Sequence, residues 1–374
     1  MPLEFKNSPK PTLGVEVEIQ LIDRGTKNLV GGAVPLLEEA RMVPGLTLKA
    51  ELTQAMAEIN TEICGTVREA GGSLARQLAQ VRGLAAKRNL EIAVSGTHPF
   101  QDWRERKIFP DERHAQILEK YRWLVRRWTT FGMHVHVGVA DGDRAIHILN
   151  ALINYIPHLI ALSGSSPYWG GTDTGLHSCR SAVTESFPTG GLPYFLPDWK
   201  GFEKYFETLL GTGAIQSIKD IYWDIRPHFD FGTIEVRVCD GLPTLKETLA
   251  LAAFVHCLVV WIDDQFQKGR RPRQIHMQRY WLAPENKWQA VRYGLDGRIV
   301  SPDSDEKKFL RDDVAALLDL LRPVAASLDC SAELEDVLRI LDRGPSSIRQ
   351  RQVFDRTESL VAVVESLIEE LKQE

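Results

Sequence analysis

Leu13-Gly-Val-Glu-Val-Glu-Ile-Gln-Leu-Ile-Asp23 decides the fold class. Apolar and polar residues alternate over most of its length, the period of two that marks a half-buried β-strand. Val15, Val17 and Ile19 point one way, and Glu16, Glu18 and Gln20 point the other. Working outward, Gly132-Met-His-Val-His-Val-Gly138 repeats the device: Met133, Val135, Val137 and Val139 share one face and leave His134 and His136 together on the opposite one. In Gly232-Thr-Ile-Glu-Val-Arg-Val-Cys-Asp240 the apolar set is Ile234, Val236 and Val238, and the other face presents Glu235 and Arg237. Segment 51–63 adds Glu51, then Glu58, Asn60 and Glu62 alternating with Ile59, Thr61 and Ile63.

A sheet face turned to water normally mixes Lys, Thr, Ser and Arg, whereas these faces carry mainly carboxylates and imidazoles. Adjacent carboxylates on one face repel unless a cation sits between them. An oxygen-rich set with one or two imidazoles suits a hard divalent ion, so Mg²⁺ or Mn²⁺ is expected. Zinc fits less well, because no thiolate joins the His-x-His pair and no HExxH helix occurs. Walker A and GxGxxG sequences are also missing, so a bound nucleotide is held neither by a P-loop nor by a Rossmann turn. Metals on a carboxylate-lined sheet are the remaining route to its phosphates.

The rest of the chain frames these strands. A further strand is expected at 91–95, and helices at 67–90, 112–129, 143–163, 201–210 and 244–267. The Gly- and Pro-rich stretch 164–197 reads as a long loop over a site. Roughly the last seventy residues are helical in pattern, with Asp303/Glu306 and Asp355/Glu358 resembling capping boxes and Gly344-Pro-Ser-Ser347 interrupting the run. With 374 residues, 44% apolar, 25% charged and a net charge of −5, the composition is that of a globular protein and excludes disordered, collagen-like and coiled-coil classes. The basic clusters Arg122-Trp-Leu-Val-Arg126-Arg127 and Arg270-Arg271-Pro-Arg273 are too short for a general nucleic-acid surface, and none is expected as a partner. Five scattered cysteines without a CxxC fit a reducing cytoplasm. Residues 1–12 hold three prolines and no apolar run, so no secretory signal is expected there; Thr248–Ile262 reads as a buried helix too short to span a bilayer.

Together the strings resemble the carboxylate–amine ligases of the glutamate–cysteine ligase type 2 group, within the glutamine-synthetase-like superfamily. Gly14-Val-Glu-Val-Glu18, Glu58-Ile-Asn-Thr-Glu62, Ser95-Gly-Thr-His-Pro-Phe100, Gly132–Gly138, Ser165-Ser-Pro-Tyr-Trp169 with Asp173-Thr-Gly175, and Gly232–Asp240 recur in family order over residues 13–300. Glu285–Leu295 and Arg349-Gln-Arg351 also look like family segments. The resemblance implies an α+β, glutamine-synthetase-like fold, a large curved antiparallel sheet lined with metal ligands and backed by helices. A catalytic domain would occupy 1–300, and 301–374 would form a helical C-terminal region packed on the same domain.

By the same resemblance the metal ligands are Glu16, Glu18, Glu51, Glu58, His134 and Glu235. For Glu51 a surface salt bridge is the alternative, since only its spacing of seven from Glu58 matches. His136 is assigned to nucleotide or substrate. Arg237, sharing Glu235's face, is the catalytic guanidinium, with an internal ion pair as the alternative. Arg180 and Arg226 are placed as binders of phosphate or substrate carboxylate, against a plain surface role. His98 either contacts substrate or stabilises its turn. Cys179 stands where the family usually has Tyr, which leaves the substrates open. The implied chemistry is ATP-dependent amide formation from small-molecule carboxylate and amine substrates through an acyl phosphate, with glutamate–cysteine ligation as one instance. The alternative is a metal-dependent phosphohydrolase or phosphotransferase on the same acidic sheet. A homodimer is expected.

Overall fold

The first strand, β1 (Leu13–Asp23), is the axis of the molecule in the computed structural model, which describes residues 3–270, 279–302 and 304–373. Around it a seven-stranded antiparallel sheet is built from β2 (Leu48–Ala50), β3 (Met56–Asn60), β4 (Leu90–Ala93), β5 (Met133–Gly138), β6 (Ile225–His228) and β7 (Thr233–Val236). The order is β6-β7-β5-β1-β3-β2. β5 pairs with Leu13–Val17, β4 takes Gln20–Asp23, and β3 pairs with Glu16–Gln20.

The apolar face behaves as the alternation requires. Val15, Val17, Ile19, Val135, Val137, Ile234 and Val236 are buried in one core with residues of the helices Val67–Ala86, Gly142–Leu152 and Leu245–Gln267. Each such side chain contributes about 1.5–3 kcal/mol by leaving water. Thr66, Asp141 and Thr244 cap these three helices, each accepting a backbone N–H from the first turn. Gly232, with φ +65°, turns the chain between β6 and β7; a Cβ there would lie 1.9 Å from the Lys6 carbonyl oxygen.

Several expected boundaries shift for local reasons. The strand expected at 58–63 ends at Asn60, leaving Glu62 outside the sheet, bonded by Ser73 Oγ and Arg76. The strand expected at 232–240 leaves its ladder after Val236, where the N–H groups of Arg237 and Val238 both donate to Asp224 O, at 2.8 and 3.1 Å, in the manner of a β-bulge. Helix 112–129 breaks at Arg122, whose φ is +50°, and helix 143–163 breaks before Pro157, which cannot donate in a continuous helix. Within 164–197 lie three short strand segments and the helix Cys179–Thr184.

The capping boxes read at the C-terminus are not found. Asp303 lies outside the described residues, and Glu306 precedes a strand, Lys307–Phe309, with the helix starting at Leu310. Asp355 lies inside the helix Ser346–Thr357, which Glu358 ends in the left-handed conformation; Ser359 caps the next helix, Leu360–Lys372. Arg271 and Arg273 also lie outside the described residues.

Gly142–Ser163 and Leu245–Gln267 are long and apolar enough to cross a membrane, the second longer than its apolar stretch suggested. Their apolar windows are 94% and 72% buried within the fold, which accounts for their composition.

Candidate functional site

Residues directly opposed in an antiparallel ladder point to the same face, so the register assembles the polar side of the sheet. Glu16 faces Asn60 of β3 on one side and His134 of β5 on the other. Glu18 faces Glu58, and Glu58 faces Lys49 of β2. Glu235 of β7 faces His136 and also Arg226 of β6. Glu51, just past β2, returns to the same face because the chain arches back into β3. All of these except Asn60 line one cleft of about 400 Å³.

Within the cleft the potential ligand atoms fall into three overlapping groups, each with its atoms within 4.8 Å of one another: Glu16, His136 and Glu235; Glu16, Glu58 and His134; Glu18, Glu51 and Glu58. Neighbouring side chains aim these atoms. His134 Nδ1 lies 3.0 Å from Glu16 Oε2, and His136 Nδ1 lies 3.1 Å from Thr233 Oγ1, which turns His136 Nε2 toward Glu16 and Glu235, 3.7 Å from each. Asn60 Nδ2 donates to Glu16 at 2.8 Å and to Glu58 at 2.9 Å.

Electrostatics divide the set. Burial pushes Glu51 up to about 7, helped by the charge of Glu18. Burial also raises Glu58 well above the carboxylate range, with Glu51 adding to it. Glu16 is opposed by burial, yet hydrogen bonds with His134 and His136 hold it well below that range. Glu235 is likewise opposed by burial and is held low by Arg226 and Arg237. Burial lowers His134, with Arg237 adding to the effect, so its imidazole stays neutral and available as a ligand.

These residues fit divalent cations. Among the described residues, the Nε2 atoms of His134 and His136 are buried without a hydrogen-bond partner, and the crowded carboxylates of Glu18, Glu51 and Glu58 have only the half-exposed Lys49 beside Glu58 and the longer-range charge of Arg237 against their mutual repulsion. Buried polar atoms left unpaired are costly unless something absent here completes them.

Arg226, expected to bind phosphate or substrate carboxylate, lines the cleft with its donors turned to the protein. Its Nε and Nη2 grip Glu235 at 2.6 and 3.3 Å, and its Nη1 donates to the carbonyls of Ile218 and Ile221, both at 2.8 Å. Nearly all its donors are spent on the protein, so it positions Glu235. Arg237 Nη1 donates to the same carboxylate and lies 3.5 Å from His134 Nδ1, while its side chain keeps an exposed edge in the cleft. Arg180 borders the cleft, but its Nη1 and Nη2 donate to the carbonyls of Val238 and Arg237. Gly132 makes room for it, since a Cβ there would meet the guanidinium at 2.2 Å. His98 is absent from the cleft lining: its Nε2 pairs with Lys27 O at 2.9 Å and its ring packs edge-on against Phe100, which makes it a stabiliser of its turn.

Some participants were not singled out by sequence pattern. Asp224 borders the cleft and is paired at 2.7 Å with Lys287, a buried lysine from the Leu282–Tyr293 helix. Trp128 and Tyr222, packed edge to face at 4.5 Å, form an aromatic wall at the Glu51 end. Neither pair lies on an alternating strand with a sequence neighbour of like chemistry, so the signal lay in two family-like segments: Trp223-Asp-Ile-Arg-Pro227, which holds Asp224, and Glu285–Leu295, which holds Lys287.

A family model described as glutamate-cysteine ligase family 2 matches residues 12–367. A Frankia alni protein bearing the provisional name glutamate–cysteine ligase 2-1 is 45% identical over 376 aligned residues, covering 99% of this chain and 98% of its own. A Thermobifida fusca protein with the provisional name glutamate–cysteine ligase 2 is 44% identical, covering 100% and 94%. Among solved structures, the glutamate–cysteine ligase of Francisella tularensis in complex with AMP has a TM-score of 0.71 at 14% identity, covering 98% of this chain and 89% of that one. A bifunctional glutathione synthetase from Pasteurella multocida also gives 0.71 at 14% identity, covering 97% of this chain and 52% of that one. At such identity these two speak to the fold, and it is the α+β fold that the motifs resemble. Sequence matches along nearly the whole chain go further: this chain belongs to glutamate-cysteine ligase family 2.

Proposed function

We propose that the chain is an ATP-dependent carboxylate–amine ligase working with Mg²⁺ or Mn²⁺, and that it joins two small molecules through an acyl phosphate. The observation that carries this reading is the set of three overlapping carboxylate–imidazole groups beside Arg237 on one sheet face. Glu16, Glu18, Glu51, Glu58, His134, His136 and Glu235 would hold the cations, which supply neutralisation of phosphate charge when bound. The AMP named with the Francisella tularensis ligase, together with family membership, supports nucleotide use at this cleft.

In this reading the substrate carboxylate attacks the γ-phosphorus of ATP, the bond to the ADP oxygen breaks, and an acyl phosphate forms. The amine then attacks the acyl carbon, phosphate leaves with its electron pair, and the amine gives up a proton. Arg237 faces the cleft with a fixed positive charge, raised in basicity by Glu235 against the opposing effect of burial, and stabilises charge on the transferring group. Glu235 aims that guanidinium, and Arg226 locks Glu235 in turn. Glutamate and cysteine are the first pair to try, given the names of the relatives. A cytoplasmic setting goes with this reading, supported by five free, buried cysteines.

The test is ADP release with Mg·ATP across a panel of amino acids, singly and in carboxylate–amine pairs, with mass spectrometry of the products. A pair-dependent signal and a product mass equal to both substrates less one water support the ligase and name its substrates. ADP without a condensed product under any pair would overturn it in favour of a phosphohydrolase, and full ligase activity in a Glu16→Ala, Glu235→Ala double variant would overturn the placing of the reaction on this face.

A further inference from the structure

Arg349-Gln-Arg351 lies on the helix Ser346–Thr357, away from the cleft lining, yet Ser347, Gln350 and Arg351 tie this helix to the loop 164–178, through buried bonds at Gln350 and an exposed ion pair at Arg351. Gln350, almost wholly buried, donates from Nε2 to Ser165 O at 2.8 Å. Arg351 grips Asp173 with two bonds of 2.8 and 2.6 Å and donates to Leu176 O at 2.9 Å. Ser347 N donates to Gly164 O at 2.9 Å, and Ser347 Oγ pairs with His177 Nδ1 at 2.8 Å. The first part of the stretch 164–197, read from its composition as a loop over a site, is thus fastened by one helix at Gly164, Ser165, Asp173, Leu176 and His177.

The inner side of the same loop is fastened to the strand that carries Arg237. Asp240, fully buried, accepts from Ser165 N at 3.0 Å, Ser166 Oγ at 2.6 Å and Ser178 Oγ at 2.8 Å. Ser166 Oγ also accepts from Arg180 N, and the Arg180 guanidinium donates to the carbonyls of Arg237 and Val238 at 3.0 and 3.1 Å. Those carbonyls belong to the bulged stretch after the regular ladder, where backbone bonds to Asp224 on one side and to Met133 and Phe131 on the other are irregular and the Arg180 guanidinium adds to them.

We propose that Gln350 and Arg351 are positioning residues for Arg237: the helix Ser346–Thr357 holds loop 164–178, and the loop, through Asp240 and Arg180, sets the backbone at Arg237. Buried hydrogen-bond networks of this kind specify one geometry because each member would be left unpaired in any other. A guanidinium displaced by about 1 Å loses much of its effect on a transition state. The C-terminal region is thereby a working part of the cleft. Only the activity arm of the test rests on the ligase reading.

Amide hydrogen exchange on the full chain tests it, comparing wild type with Arg351→Ala, whose side chain is partly exposed, and with Arg351→Lys. Exchange in Arg351→Ala should rise about tenfold both in 164–178 and at the amides of 237–241, with β1 and β5 unchanged. Mn²⁺ affinity should stay within about twofold, and kcat for ADP formation should fall about tenfold with KM for ATP little altered. Arg351→Lys should recover part of each change, because a lysine keeps the ion pair to Asp173 and loses the bidentate grip. Faster exchange in 164–178 with 237–241 still protected would overturn the proposal, as would uniform loosening of the sheet. Should wild type form no ADP with any substrate pair, the ligase reading fails, and the exchange comparison alone decides the positioning role.

Discussion

Arg226 and Arg237 flank one carboxylate and are expected to fail differently when truncated. Arg226→Ala leaves Glu235 buried with half its compensation and strands two backbone carbonyls, so it should cost about 3–5 kcal/mol in urea unfolding. Arg237→Ala leaves the Arg226–Glu235 pair intact and removes a group at the cleft edge; stability should change by roughly 1 kcal/mol. ADP formation in that variant should fall about 10²–10³-fold, as when a donor to transition-state charge is lost. Equal stability losses in the two variants would contradict the division of labour. His98 offers a pH test remote from the cleft. Burial holds it down to about 3 against an ordinary value near 6.5, despite its bond to Lys27 O. Below about 6.5 the unfolded chain takes up a proton that the folded chain refuses, so stability present above that pH is lost as pH falls toward 3, by about 1.4 kcal/mol per unit. His98→Gln, which keeps a donor for the carbonyl, should flatten the fall of the urea midpoint between pH 6 and 4 by one proton's worth.

At the scale of elements, the strand register makes the ligand set unequal. Glu16 belongs to two of the three groups and sits on the central strand, whereas Glu51 belongs to one and sits on the arch between β2 and β3. Glu16→Gln should therefore lower Mn²⁺ affinity, followed by electron paramagnetic resonance, at least about tenfold and abolish thermal stabilisation by the ion. Glu51→Gln should weaken binding less and leave part of that stabilisation. Equal effects would mean that the groups do not share Glu16 as the geometry indicates. The alternation made Glu16, Glu18, His134, His136, Glu58 and Glu235 legible as one polar face, because a period of two is a local property of the strand. The grip of Arg226 on Glu235 was not legible because its partners lie across the ladder and on the Ile218–Ile221 turn, which no local pattern encodes. The C-terminal capping boxes misled because Asp and Glu three apart also occur inside helices, as Asp355 does.

At the scale of the whole molecule, the C-terminal helices share a core with the sheet's backing helix. Leu310, Val314, Leu317, Leu321, Leu334, Val337 and Ile340 are buried in the same cluster as the apolar side of Leu245–Gln267. Arg349 adds buried ion pairs to Glu247, at the start of that helix, and to Glu370. A chain ended at residue 300 would expose that side to water and should lose cooperative unfolding and bind a hydrophobic dye. A sharp, dye-silent melt of the shortened chain would show instead that 1–300 folds as a unit and that 301–374 is an addition to it.

The sequence by itself determined the strands, the face each residue takes, the carboxylate and imidazole make-up of that face and the family, because alternation and short motifs are written in neighbouring residues. Only the tertiary structure decided which carboxylates meet, that Glu51 joins them from an arch, that Arg226 grips Glu235, and that a C-terminal helix fastens the loop behind Arg237. Those outcomes depend on strand register, chain crossings and packing between residues up to 185 positions apart, such as Gln350 and Ser165, where distance in space bears no fixed relation to distance along the chain.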